Sequence, residues 1–144
     1  MTARIEAFVH GMPAPQGSKR HVGGGRMVES SQKVAPWREA VKQALLRQGF
    51  TTLVGPLHVG VVFALPRPKH HYRTGANNHL LRDNAPVWVT TKPDIDKLLR
   101  STLDALTDVG LWADDSQVAS VHTGKSYVSD PTQVGALITV VELT

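Results

Sequence analysis

The chain has 144 residues, 41% of them hydrophobic, a formal net charge of +4 and a pI of about 9.7. That length suits one domain, residues 1–144, with its own core, and the basic balance points to an anionic partner, nucleic acid being the commonest. Zero cysteines exclude disulfides and thiolate metal sites and fit a cytoplasmic setting, and no stretch approaches a signal peptide or the roughly 20 apolar residues of a membrane helix.

Residues 3–10 alternate, with Ile5, Ala7 and Val9 on one side, and predict a strand. Residues 11–33 read as a long Gly/Pro loop carrying Lys19, Arg20 and Arg26. Its glycines lack the Gly-Lys-Ser/Thr spacing of a phosphate loop. Pro36 suits a first helical turn, Val34, Trp37, Val41, Ala44 and Leu45 form an apolar stripe, and Gly49 ends the helix. Trp37 at that spacing is a core residue. The nearly unbroken apolar run from Leu57 to Leu65, between Pro56 and Pro66, predicts a buried central strand.

Residues 66–92 form a connection of a length that, inside a compact domain, is usually either functional or disordered. It holds Arg67, Lys69, Arg73, Arg82 and Lys92 against one acid, Asp83. His70 and His71 are adjacent, and neighbouring side chains point apart in most conformations, so they are read as part of the basic loop rather than as a metal site. Tyr72 and Trp88 could stack on unpaired bases, but Trp88, between Val87 and Val89, is expected to pack the loop onto the core. Residues 117–128 and 134–143 predict two strands joined at Ser129-Asp130-Pro131 as a terminal hairpin. The fold class is therefore α+β, a mixed sheet in the order β-α-β-α-β-β with two long basic loops.

The remaining stretch is unlike the rest. Between residues 93 and 115 lie Asp94, Asp96, Asp104, Asp108, Asp114 and Asp115, six of the chain's twelve acids, with only Lys97 and Arg100 among them. Such crowding is unfavourable unless a cation sits there, and a divalent metal is one candidate. Pro93 starts a new element, Asp94 suits a helix N-cap, and Leu98, Leu99, Thr102, Leu103 and Leu106 recur at helical spacing up to a stop at Gly110. Asp96, Arg100 and Asp104 stack along one side. Asp94 and Asp96 can serve one metal only if Asp94 is still extended where the helix begins. The plain alternative is ordinary capping at the helix start and ordinary turn chemistry at Asp114-Asp115-Ser116.

Asp94-Ile95-Asp96-Lys97-Leu98-Leu99-Arg100, then Leu103-Asp104-Ala105-Leu106, then Gly110-Leu111-Trp112-Ala113-Asp114-Asp115-Ser116-Gln117-Val118, resembles the signature of the RusA family of Holliday junction resolvases. The likeness is specific over residues 94–118 and looser elsewhere. It implies that Asp94, Asp96 and Asp115 bind metal and carry catalysis, with Asp114 a turn residue and Asp104 structural, paired with Arg100. It also implies a catalytic lysine where this chain has Arg100; Lys97 stands one turn earlier, where the family has a polar amide. Arginine can clamp a phosphate but cannot readily give up a proton. Further implications are a homodimer and branched, four-way DNA as substrate.

The chemistry agrees with that likeness. A phosphodiester repels hydroxide and has a poor leaving group, and a hard cation eases both problems. Magnesium, or manganese in its place, suits a small aspartate cluster with no histidine cage. Lys19, Arg20, Arg26, Arg67, Lys69, Arg73, Arg82 and Lys92 are the candidate DNA contacts, because positive charge lies on the loops and negative charge around residues 94–115. The expected activity is magnesium-dependent resolution of four-way junctions by paired symmetric nicks. The alternatives are a flap- or fork-selective nuclease and a DNA-binding module without activity.

Overall fold

The computed structural model describes residues 3–17 and 32–144 and, between them, the backbone of residues 19–22 and 26–29. Six strands and two helices are assigned: β1 (Arg4–His10), β2 (Lys19–Val22), β3 (Arg26–Glu29), α1 (Val34–Gln48), β4 (Leu57–Pro66), α2 (Ile95–Asp108), β5 (Val118–Val128) and β6 (Gly135–Glu142). The α+β class and the main element order match the sequence reading. One addition falls in the first basic loop. Residues 19–22 and 26–29 pair antiparallel, so that loop is not all irregular. Lys19, Arg20 and Arg26 sit on this pair, and their side chains lie outside the described residues.

The main sheet has the order β1-β6-β4-β5. β4 is central, as its apolar run predicts, with β6 antiparallel on one side and β5 parallel on the other. Leu57, Val59, Val61, Phe63 and Leu65 alternate toward the helices and are buried. Trp37, Val41 and Leu45 of α1 and Leu98, Ala105 and Leu106 of α2 cover that face. Trp37 also donates through Nε1 to Thr102 Oγ1 at 3.1 Å, which joins the two helices across a buried polar contact. The buried side of α2 is rotated from the predicted one: Ser101 and Ala105 are buried, while Leu99 and Leu103 are only partly so. Ser101 has a local reason to face inward, since its hydroxyl donates to the Ala14 carbonyl at 2.7 Å.

The predicted terminal hairpin does not form. β5 and β6 each pair with β4 and not with each other. Two facts explain this. The outer edge of β5 is already taken by the segment before α2, where Val89 N–H donates to Lys125 O at 3.0 Å and Tyr127 N–H to Val87 O at 2.9 Å. And β4 offers a free apolar edge, against which Ala136, Ile138 and Val140 become buried. Residues 129–134 therefore cross over the carboxyl end of β4, through a 3₁₀ turn with Pro131 at its start and Asp130 capping it. β6 then inserts between β1 and β4.

The same pairing corrects the role of Trp88. A residue between two edge-bonded neighbours points away from them. Val89 is buried, Trp88 is 64% exposed, and its ring lies near Gly124. Among the described residues, no helix is long and apolar enough to cross a membrane.

Candidate metal centre and nucleic-acid interface

α2 begins at the carboxyl end of the parallel pair β4 and β5, the edge at which open sheets commonly place their ligands. Asp94 is the residue just before the helix, with φ −68° and ψ 138°. It is thus extended, as a shared site with Asp96 requires. Its side chain makes no capping bond to the helix backbone. Instead its Oδ1 accepts from Lys92 Nζ at 2.8 Å, across a Lys92–Pro93 peptide that is cis. That bond, reinforced by the charges of Lys92, Lys97 and Lys125, holds the Asp94 carboxyl below its ordinary range against the opposing effect of burial. Asp96 is exposed in the first turn of the helix, where the dipole favours an anion.

Lys125 was missed by sequence reasoning. It lies on β5 opposite Phe63, so its side chain points to the helix side of the sheet. There Nζ donates to Thr91 O at 2.6 Å and to Pro93 O at 2.7 Å. The backbone leading into Asp94 is thereby fixed to the sheet. The available signal was a lysine at an inward position of a strand, which becomes legible only once the strand's neighbours are known.

Asp115 stands elsewhere. Gly110, at φ 85°, ends α2: its N–H bonds to Thr107 O and that of Leu111 to Leu106 O. The chain then turns back. Asp114 caps the next turn by accepting from Ser116 N–H at 2.8 Å, which matches its expected turn role. Gln117 completes a capping box, accepting from Ala113 and Asp114 N–H and donating to Leu53 O and Gly55 O. So held, Asp115 Oδ1 accepts from Thr107 Oγ1 and from Trp112 Nε1. Thr107 is in the last turn of α2 and Asp94 precedes the first, which separates Asp115 from Asp94 by roughly 20 Å at helical rise. β5 gives a similar length, because Lys125 neighbours Pro93 whereas Val118 follows directly from the Asp115 turn. The structure brings Asp94 and Asp96 together and does not bring Asp115 to them within one chain. Among the described residues, no three metal-ligating side chains form a cage.

Around Asp115 lies a second acidic group. Burial, and then the Asp115 carboxylate, push Asp104 above its ordinary range, against the charges of Arg38 and Arg100. Arg38 is ion-paired with Asp108. Arg100 is exposed on α2 between Asp96 and Asp104, and Lys97 is partly buried, its carbonyl accepting from Gln16 N–H at 2.9 Å.

The basic loop is organised by its own arginines. Arg67 donates to Pro86 O at 2.6 Å and lies over the Tyr127 ring. Arg73 donates to Leu81 O and pairs with Asp83, and Arg82 donates to His70 O at 3.1 Å. His71 is buried edge-on against Tyr127, and burial, with the charges of His70 and Arg67, lowers its pKa. Lys69 is exposed, and Lys92 holds Asp94.

The Asp-x-Asp pair thus lies at the start of α2, beside a basic loop. The family model for endodeoxyribonuclease RusA matches residues 10–139, and the chain belongs to that family. It is also 29% identical over 133 residues to "Uncharacterized protein YqaN" of Bacillus subtilis (strain 168), an alignment that covers 88% of this chain and 90% of that one.

Proposed function

We propose that the protein is a magnesium-dependent endodeoxyribonuclease that resolves four-way DNA junctions by paired symmetric nicks. The observation that carries this reading is the extended Asp94 set directly before a helix whose first turn holds Asp96. Two hard carboxylates with no soft ligand fit Mg²⁺, which takes one or two carboxylates and keeps several waters; Mn²⁺ fits the same donors. When bound, the ion would neutralise phosphate oxygens and lower the pKa of an attacking water. Lys92 and Lys125 keep Asp94 ionised and in place. Arg100 and Lys97, on the same helix, face the charge of the phosphate, Arg100 by a bidentate clamp. Lys69, Arg73, Arg82 and Lys92 then bear on DNA, while Arg67, Arg73 and Arg82 also shape the loop that carries them. Lys19, Arg20 and Arg26, in the β2–β3 pair, are further candidate DNA contacts.

Asp115 belongs to this chemistry through a homodimer. A two-fold pair of chains with their α2 helices antiparallel would set Asp115 of one chain beside Asp94 and Asp96 of the other. Two symmetric nicks also need two sites, which such a pair supplies.

The test is cleavage of a labelled synthetic four-way junction, with and without magnesium, by wild type and by Asp96→Asn. Symmetric nicks that need both the metal and Asp96 are expected. Tight binding with no cutting by wild type would leave a DNA-binding module, and faster cutting of matched flaps or forks would change the substrate.

A further inference from the structure

Tyr72 stands between two hollows of unlike chemistry. One, of about 650 Å³, has a largely apolar wall that includes Met12, Pro66, Val128 and Val134, with His10 and Arg67 also lining it. The other, of about 660 Å³, is lined by Lys69, His70, Arg73 and Arg82. Tyr72 lines both. The apolar hollow follows from the topology, because it lies where residues 129–134 cross the carboxyl end of β4. A smaller hollow of about 230 Å³ shares Met12 and Pro66 with it and reaches Thr91, Lys92 and Pro93, next to Asp94. The apolar and the smaller hollow thus adjoin along Met12 and Pro66, between Tyr72 and the residues that precede Asp94.

We propose that these hollows take one unstacked nucleotide of the DNA strand beside the cleaved phosphodiester, its base in the apolar hollow against Tyr72 and its phosphate in the cationic one. The proposal rests on the nuclease reading and deepens it by naming a determinant of sequence preference. The charge argues for this occupant: residues 66–92 carry five basic side chains and one acid. So does the pairing of surfaces, since a nucleotide joins a flat, weakly polar ring to an anion. Either hollow has the size range of small-ligand sites. Base–aromatic stacking needs only a π-face, and Tyr72 offers one within a loop already pinned by Arg67, Arg73 and Arg82. His10 supplies a polar edge. Its Nδ1 donates to Thr132 O at 3.1 Å, which leaves Nε2 of the neutral ring an acceptor for a base amino group.

The test is an abasic scan. Junctions lacking one base at each position around the point of exchange are titrated with protein in magnesium-free buffer, where binding is read without cutting. One position next to the cleavage point is expected to weaken wild-type binding roughly 5- to 100-fold when its base is removed, the range found for single stacking contacts. Tyr72→Ala should bind the intact junction more weakly by the same factor and be indifferent to that abasic site. Met12→Trp should behave likewise by filling the hollow; Met12 is 53% exposed, so this change leaves the core untouched. A flat scan, or variants as sensitive as wild type to the abasic site, would overturn the proposal. The same substrates with magnesium report the nuclease reading separately. Metal-dependent nicking with a flat scan removes only the nucleotide site, a position-specific scan without nicking removes only the nuclease, and no binding removes both.

Discussion

Lys125 Nζ donates to the carbonyl of Pro93 at 2.7 Å, and Pro93 is the residue before Asp94. A second bond, to Thr91 O, makes the ammonium a two-point clamp on the segment that delivers the aspartate. Lys125→Met keeps the stem and removes the clamp. Cleavage by this variant is expected to slow about 10- to 100-fold, the scale of losing a group that orients a metal-binding side chain, while junction affinity measured without metal stays within about two-fold of wild type. Equal losses in affinity and rate would show that Lys125 contacts DNA instead.

The distance between Asp94 and Asp115 predicts complementation. Asp94→Asn and Asp115→Asn should each be inactive alone. If the site is shared across two chains, mixing them forms heterodimers in which one of the two sites has all its aspartates. Nicking of one strand should return on mixing, with paired cleavage still absent. No recovery after subunit exchange would place the three aspartates in one chain.

Arg100 provides a charge test. Should it act by clamping a phosphate oxygen, Arg100→Lys will cut within about three-fold of wild type and Arg100→Ala at least ten-fold more slowly, since lysine keeps the charge and loses only what the bidentate fork adds to it. A large gain in Arg100→Lys with a new alkaline limb in the pH–rate profile would instead mean that proton transfer is needed at this position.

Asp104 sets a pH dependence of stability. Its folded pKa is raised above the ordinary 3.8, by burial first and then by Asp115. The folded chain therefore binds this proton more tightly than the unfolded chain. Ionising Asp104 weakens the fold, and the penalty is fully present above the folded pKa and vanishes as pH falls to 3.8. Asp104→Asn should raise Tm at pH 7, and the advantage should shrink as the pH is lowered. Asp130 has the opposite sign: bonds from Thr132 lower its pKa, so its contribution is present above 3.8 and lost as pH falls through the folded value. Melting curves of Asp104→Asn and Asp130→Asn from pH 7 to 3 check the two signs.

Gly135 tests the sheet. Its φ is +152°, and a methyl group there would lie 1.9 Å from the Val9 carbonyl oxygen. Gly135→Ala should cost about 3 kcal/mol or more, because backbone atoms of β1 cannot yield as a side chain would. Chemical denaturation measures it.

Local signals were well legible in the sequence. The strand at residues 4–10, α1 with its buried Trp37, the central β4, the extended Asp94 and the stop at Gly110 all follow from spacing, capping and backbone preference. Pairing was not legible. Nothing in residues 117–143 tells that β6 prefers the edge of β4 to that of β5, because the competitor, residues 87–89, is distant in sequence. The misjudged Trp88 and the unassigned Lys125 follow from the same gap, since both depend on which edge of β5 is occupied. The three aspartates share a motif along the chain, yet a helix length separates Asp115 from Asp94 and Asp96 in space.

The position of β6 has a consequence for synthesis. A nascent chain that has reached Val128 already carries every aspartate and cation assigned to the chemistry, but β1 and β4 then have no strand between them. The core strands cannot be joined by local contacts, and the closing pairs link residues 4–10 with 135–141. The main sheet is thus closed only when β6 joins β1 to β4, after every residue assigned to the chemistry has been synthesised.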